Sequence, residues 1–181
     1  MLVIALLVSV PSFGQELSKR EKRQLERELK KEQAAEEAAK KAEMIQLMVE
    51  NQQLVLEADQ LRDRRGTTIN VPSMINFIAV DSTEGVIQIG SNGYVGMNGV
   101  GGITVEGTVD NYSFTHDEKR GTYTVSYTLR SPSGTYDVNM SILGNGRADA
   151  TVSSNWPGRL NYMGNLVHPA ASRVFKGTTR Y

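Results

Sequence analysis

The sequence predicts an all-β fold, an antiparallel meander that forms a small barrel or a sandwich, preceded by a charged N-terminal α-helix. Between Gly121 and Ser153 apolar and polar residues alternate with a period of two, which is typical of strands that bury one face. Two turn signals, Ser131–Gly134 and Asn145-Gly146, divide this stretch into three strands, and Asn-Gly is the strongest short hairpin signal. The predicted core-facing residues are Tyr123, Val125, Tyr127, Leu129, Tyr136, Val138, Met140, Ile142, Ala148, Ala150 and Val152.

Shorter runs of strand-forming residues lie on either side of these three strands. They give about nine or ten strands in all, with close turn signals and no stretch long enough for a crossover helix, which argues against parallel βαβ units. Closure into a barrel and packing as two sheets both protect strand edges, so the sequence leaves this choice open. The additional segments are Leu54–Asp59, Thr67–Val71, Asn76–Val80, Val86–Ile89, Ile103–Val109, Tyr112–His116 and Leu160–Tyr162.

The predicted helical arm, residues 15–51, has a different composition. Between Glu16 and Glu50 there is no Gly, Pro or aromatic residue, and nine basic side chains are balanced by nine acidic ones. An apolar stripe in its second half, Ala35, Ala38, Ala42, Ile45 and Val49, predicts that the C-terminal half buries a face. The arm is either a solvated spacer that docks its last turns on the sheet or half of a short coiled coil. The spacer is favoured because alanine offers little apolar area.

Residues 1–14 have the pattern of a signal peptide. The apolar run Leu2–Val10 is too short to span a membrane, and Ser12 and Gly14 place small residues at positions −3 and −1 of a cleavage site after Gly14. No Lys or Arg precedes the run. We expect a soluble product that begins at Gln15, is periplasmic or secreted, and has no membrane span. The sequence contains no cysteine, so we expect no disulfide and no lipid anchor.

Five blocks of the predicted β domain, residues 52–181, occur in the order and spacing of a known family. They are Leu54–Asp59, Asn76–Asp81, Gly101–Gly107, Tyr136–Met140 and Leu160–Gly164. Over Gln52–Gly177 the sequence resembles the domain-of-unknown-function family 4251, which occurs in exported proteins of gut-associated Gram-negative bacteria. The resemblance implies an envelope location and an all-β domain. It implies no reaction, because the family has no established catalytic or ligand-binding residues.

A cluster of six glycines between Gly90 and Gly102 is the place in the sequence where a binding site is most expected. It leads into the predicted strand at Ile103 and is not followed by Lys, which argues against a phosphate-binding loop. The cluster is interpreted as a loop or bulged strand, or as a lid over a barrel mouth. The candidate binding residues are Tyr94 and Asn98 in the cluster and Trp156 in a second predicted loop.

The residue inventory argues against several kinds of chemistry. There is no Gly-x-Ser-x-Gly, no His-Glu-x-x-His and no cysteine nucleophile. His116 and His168 are predicted in a charged turn and a surface loop, so we expect no catalytic residue, no metal site and no cofactor. The carboxylates of the helix balance its basic residues, which argues against nucleic-acid binding.

Three functional hypotheses follow. The first is a non-enzymatic envelope module that binds an unknown envelope protein or glycan, or has a structural role. The second is a barrel that carries an apolar or glycan ligand behind the glycine cluster, which requires an internal cavity. The third is an envelope hydrolase that uses paired carboxylates from Glu57, Asp59 and Glu106.

Overall fold

A computed structural model describes residues 19–91, 99–154 and 158–178. One helix, α1 (Lys19–Glu50), precedes nine strands, and two short 3-10 helices lie at Ser73–Ile75 and Pro169–Ala171. The strands are β1 (Gln53–Asp63), β2 (Thr68–Asn70), β3 (Phe77–Asp81), β4 (Glu84–Ile89), β5 (Ile103–Asp117), β6 (Thr122–Ser131), β7 (Gly134–Leu143), β8 (Arg147–Ser154) and β9 (Arg159–Val167).

The strands form a closed antiparallel barrel. From β3 to β9 each strand pairs with the next along the chain, and β1 pairs with both β3 and β9. The β1–β9 register runs from Val55 opposite Val167 to Asp63 opposite Leu160, and this pairing closes a ring of eight strands. The predicted all-β meander is confirmed, and the choice between barrel and sandwich is decided for the barrel.

β1 contains a β-bulge and pairs with three neighbouring strands. The β1–β9 register shifts between Ala58 and Gln60, so Asp59 is the extra residue. Before the bulge β1 pairs with β3, and after it β1 pairs with the short strand β2. Leu54, Leu56 and Ala58 of β1 are fully buried, whereas Glu57 is only half-buried.

The barrel interior contains the side chains that the alternation predicts. All of the predicted core-facing residues of β6, β7 and β8 are buried except Tyr136, which is half-buried. They form one cluster with Leu54, Leu56, Ile78 and Val80 from β1 and β3. The period of two therefore identified the inward face of each strand.

The helix α1 contributes to two units of the chain, 1–37 and 38–181. Within the second unit, Ile45, Met48 and Val49 are buried and belong to the core cluster of the barrel. The predicted burial of the stripe is therefore confirmed at Ile45 and Val49, but Ala38 and Ala42 are exposed, as is Ala35 of the first unit. Within the second unit, the last two turns of the helix pack on the core.

The antiparallel order places alternate connections at the same end of the barrel. We call the end where α1 enters β1 the helix end; it also carries the β3–β4, β5–β6 and β7–β8 turns. The opposite end, here the loop end, carries the β4–β5, β6–β7 and β8–β9 connections. The described glycines of the cluster, Gly90, Gly99, Gly101 and Gly102, therefore lie at the loop end.

Candidate functional site

A cavity of about 250 Å³ opens into the barrel at the loop end. Its walls are formed by residues of β4, β5, β7, β8 and β9, and most of the lining is apolar. Ile103, at the start of β5, is 60% exposed and lies at the rim of the cavity. The apolar and aromatic lining residues are Ile87, Ile89, Ile103, Val105, Tyr136, Val152, Leu160 and Tyr162. Ser153, Ser154, Gly158 and Arg159 complete the lining where β8 and β9 approach their connection. A mostly apolar concave site with a few polar groups is typical of small-molecule binding sites.

Two tyrosine hydroxyls inside the barrel have no hydrogen-bond partner in the part of the chain that the structure describes. They belong to Tyr127 and Tyr162, whose side chains are buried. Burial raises the pKa of both phenols above the ordinary value, so each hydroxyl remains protonated at neutral pH and is a potential donor. Tyr162 also lines the cavity.

Two other tyrosines, Tyr112 and Tyr123, lie nearer the helix end and contact neighbouring groups there. The Tyr112 hydroxyl donates to the carbonyl oxygen of Val49 at 2.8 Å, and burial raises the pKa of Tyr112 to about 12. The Tyr123 ring stacks on His116 with the ring centroids 4.0 Å apart. A solid core around Tyr123 and Tyr136 would have excluded a ligand, but Tyr136 lines the cavity instead.

A buried amide holds the base of the β4–β5 connection. The Asn76 side chain donates to the Gly90 carbonyl oxygen at 3.0 Å and accepts from the Gly90 N–H at 3.0 Å. It also donates to the Pro72 carbonyl oxygen at 2.9 Å, and Asn76 is fully buried. The first glycine of the predicted cluster is thus fixed by its backbone to the start of β3.

A second buried amide fixes the C-terminal segment against β4. Gln88 accepts from the Thr104 hydroxyl at 2.8 Å and from the Gly177 N–H at 2.7 Å, and it donates to the Phe175 carbonyl oxygen at 2.8 Å. Gln88 lies between inward-facing Ile87 and Ile89, yet it is fully buried because this segment covers it. Neither Asn76 nor Gln88 was predicted from the sequence as a buried hydrogen-bonding residue. Their polar side chains within apolar segments were the only sign of this role.

The three carboxylates proposed for a hydrolase are held by different partners outside the cavity. Glu57 accepts from the Ser172 hydroxyl at 2.7 Å, Asp59 pairs with Arg147 at 2.6 Å, and Glu106 pairs with Lys176 at 3.1 Å. None of the three lines the cavity. This arrangement removes the geometric basis for an acid pair at that site.

The remaining sequence candidates have structural surroundings or lie outside the described residues. The His168 Nδ1 accepts from the Ala170 N–H at 3.2 Å and caps the second 3-10 helix. Within the described ranges no group of three metal-binding side chains occurs. Tyr94, Asn98 and Trp156 lie outside the described residues, in the β4–β5 and β8–β9 connections, and so does the predicted signal peptide at residues 1–14.

Comparison with known families identifies this barrel. The model of a domain of unknown function, DUF4251, matches residues 35–166. The chain belongs to this family. The resemblance predicted from the sequence blocks is confirmed, and the DUF4251 match begins within α1, so it includes the helical turns that pack on the barrel.

A solved DUF4251 protein has the same fold. The chain is similar to the crystal structure of a DUF4251 family protein from Bacteroides eggerthii, with a TM-score of 0.63 and 30% sequence identity. The similarity covers 75% of this chain and 92% of that one. A comparison with curated proteins found no match. In the described ranges no helix combines the length and apolar character that a membrane crossing requires.

Proposed function

We propose that this DUF4251 protein is an exported, non-enzymatic binding module whose barrel takes up one small apolar ligand. One observation supports this function most directly: the closed eight-stranded barrel retains an apolar cavity that opens at the loop end. A barrel of eight strands is just wide enough either to be filled by side chains or to hold one small ligand. Among the described residues, Ile45, Met48 and Val49 fill the helix end, and a cavity remains at the loop end.

The volume of the cavity limits the size of the ligand. An apolar cavity of roughly 150 Å³ engineered in another protein binds benzene, and drug-sized ligands occupy roughly 300–1,000 Å³. The cavity of about 250 Å³ lies between these cases. We therefore expect a ligand of about ten non-hydrogen atoms, smaller than a long-chain fatty acid. The described lining is mostly apolar and includes no His, Asp, Glu, Lys or Cys side chain that could serve as a base beside a nucleophile, which supports binding over catalysis.

The proposed export depends on the signal-peptide pattern of residues 1–14. Intact-mass measurement of the protein recovered from the periplasm or medium tests it. A mass that begins at Gln15 supports export with cleavage after Gly14, whereas a cytoplasmic product that retains Met1 contradicts it.

Ligand binding can be tested by NMR with methyl-labelled isoleucine and valine. Titration with toluene should shift the methyl signals of Ile87 and Val105 in the cavity and leave Ile45 at the helix end unchanged. A Val152→Phe variant adds a ring to the cavity wall and should abolish these shifts. Ile69→Phe, at an exposed position of β2, is the matched control and should bind as the wild type does.

The outcome decides between binding and a filled interior. Absence of shifts in the wild type, or shifts that persist unchanged in Val152→Phe, would contradict uptake into this cavity. Circular dichroism of both variants should show the same strand signal, so that loss of binding is separated from loss of the fold.

A second candidate function is the binding of an envelope partner, the first hypothesis from the sequence, and the helix α1 offers a surface for it. Four large apolar side chains of α1, Leu25, Leu29, Met44 and Leu47, are each about half exposed. Such side chains are available to an envelope protein or to a second helix. Deleting residues 15–40 and measuring the molar mass by light scattering tests pairing: a large fall in mass favours a coiled coil, and a monomer before and after favours the spacer.

A further inference from the structure

Four outward-facing side chains form a row across the outside of β1, β3, β4 and β5. Each is the register partner of the next, and they are Glu57, Phe77, Gln88 and Thr104. Outward side chains of a barrel usually face water, as Asp137 and Asn139 of β7 do here. In this row, however, Phe77, Gln88 and Thr104 are at most 4% exposed. The outside of the barrel is therefore covered on these strands.

The cover is the C-terminal strap, residues 172–177, which crosses the row without forming a strand. At one end of the row, the Glu57 carboxylate accepts from the Ser172 hydroxyl at 2.7 Å. At the other end, Gln88 accepts from the Gly177 N–H at 2.7 Å and donates to the Phe175 carbonyl oxygen at 2.8 Å. Side chains of the barrel thus hold the strap at both ends of the row.

The strap lies directly behind a wall of the cavity. The residues on either side of Gln88 in β4 and of Thr104 in β5 line the cavity from the inner face, and they are Ile87, Ile89, Ile103 and Val105. Side chains that face unfilled volume lack packing neighbours on that side. The strap supplies contacts on the outer face of the same strands, where the interior supplies fewer.

The same hydrogen bonds extend to the base of the β4–β5 connection. The Gln88 amide also donates to the Ile75 carbonyl oxygen at 3.1 Å, and the next residue, Asn76, binds the backbone of Gly90 on both sides. The strap, the cavity wall and the start of this connection therefore form one hydrogen-bonded unit, and release of the strap would loosen the wall.

We propose that the C-terminal strap determines the size of the ligand that the cavity accepts, because it holds the β4–β5 wall in place from the outside. This inference rests on the proposed function, since it requires a ligand in the cavity. With the strap bound, the wall is fixed and the cavity takes apolar molecules of up to about ten non-hydrogen atoms. With the strap released, β4 and β5 bend outward more easily and the cavity admits larger apolar molecules.

Two anchors of the strap can be removed without changing any residue that lines the cavity. The double variant Ser172→Ala/Lys176→Ala loses the hydrogen bond to Glu57 and the ion pair to Glu106, and both anchors lie at the surface. Arg130→Ala is the matched control, because it removes a similar surface ion pair, at 2.9 Å, between β5 and β6 and leaves the strap intact.

Hydrogen exchange of the ligand-free protein tests whether the strap holds the wall. In the double variant we expect the amides of residues 86–89 to exchange roughly threefold to tenfold faster, the range for the loss of one net hydrogen bond. The amides of β8 should keep their wild-type rates, which also verifies that the barrel is folded. Arg130→Ala should leave both sets unchanged. Wild-type exchange of residues 86–89 in the double variant would overturn the role of the strap.

Methyl NMR titration with toluene and with the larger biphenyl tests the effect on ligand size. The wild type should prefer toluene, and the double variant should reduce this preference by roughly threefold to tenfold, because less free energy is needed to move the wall. Arg130→Ala should keep the wild-type preference. An unchanged preference in the double variant, with toluene still bound, would overturn this inference and leave the proposed function in place. Binding of neither probe by either protein would contradict both.

Discussion

At the helix end of the barrel, Ile45, Met48 and Val49 fill the interior and are at most 3% exposed, whereas at the loop end a cavity of about 250 Å³ remains. The same contrast holds for hydrogen bonds. Tyr112 donates to the backbone of the helix, and Tyr162 has no partner in the described ranges. One end of the barrel thus has the properties of a packed core and the other those of a binding site.

The difference shows how a small eight-stranded barrel can have a stable core at one end and an open cavity at the other. Burial of the last two helical turns supplies apolar contacts that the strands alone do not provide at that end. We therefore expect the helix end to contribute most of the packing at that side of the core, while the loop end retains unfilled volume. If this division is correct, substitutions at the helix end should affect mainly folding and those at the loop end mainly binding.

The largest expected effect comes from placing a charge in the packed end. Val49→Asp introduces a carboxylate at a position that is 0% exposed and should lower the free energy of unfolding by about 3–5 kcal/mol, as for an uncompensated buried charge. Leu47→Asp, on the same helix and half exposed, should change it by less than about 1 kcal/mol. Urea denaturation measures both variants. Similar losses in the two would show that the helix does not pack as described.

A somewhat smaller effect is expected at the seam that closes the barrel. A Cβ atom at Gly164 of β9 would overlap the Glu57 carbonyl oxygen of β1, which is backbone and cannot rotate away. Gly164→Ala should therefore cost about 2–3 kcal/mol through overpacking.

Gly158 at the cavity is the matched control for this substitution, because no described atom lies within 4 Å of the added Cβ. Gly158→Ala should change stability by less than about 0.5 kcal/mol. Chemical denaturation distinguishes the two. Equal stability of both variants would contradict the close approach of β1 and β9.

A third test compares the two tyrosines directly. Tyr112→Phe removes the hydrogen bond to Val49 and should lower stability by about 1 kcal/mol. Tyr162→Phe should leave the stability of the ligand-free protein unchanged or raise it by up to about 1 kcal/mol, because it removes a hydroxyl without a described partner. Thermal unfolding of the purified variants measures the difference. A loss in Tyr162→Phe equal to that in Tyr112→Phe would indicate that the Tyr162 hydroxyl does have a hydrogen-bond partner in the barrel interior.

The local features of this fold could be predicted from the sequence, and the long-range ones could not. Alternation and turn signals predicted the inward face of β6, β7 and β8, because each strand's period depends only on its own residues. Closure by β1 and β9 pairs Val55 with Val167, and no local pattern encodes a contact across that separation. The bulge at Asp59 lies within this pairing and was not predictable for the same reason.

The candidate site was harder to predict than the fold. Gln88 occupies an outward position in the alternation and becomes buried only because residues near Phe175 cover it. From the sequence, Tyr162 was predicted only as part of the last strand. Its position in the cavity lining depends on empty volume between side chains of five strands, which no local pattern encodes. Glycine and aromatic composition directed attention to Tyr94, Asn98 and Trp156, whose connections join strands that line the cavity.

At neutral pH the smallest effect is expected from the ionisation of the interior tyrosines, which becomes measurable only at alkaline pH. Burial raises the pKa of Tyr112 to about 12, above the ordinary value of 10.0, so the folded state retains a proton that the unfolded chain loses. The associated stability is fully present below pH 10 and is lost as the pH rises through about 12. Tyr162 shifts in the same direction.

Urea denaturation between pH 9 and 12 should therefore show a shallower loss of stability in both Tyr112→Phe and Tyr162→Phe than in the wild type. This comparison also tests whether the Tyr162 hydroxyl is shielded from water. If water reached this hydroxyl in the folded state, its pKa would lie near the ordinary value in both states, and only Tyr112→Phe would change the slope. A wild-type slope in Tyr162→Phe would thus contradict the burial that raises the pKa of Tyr162.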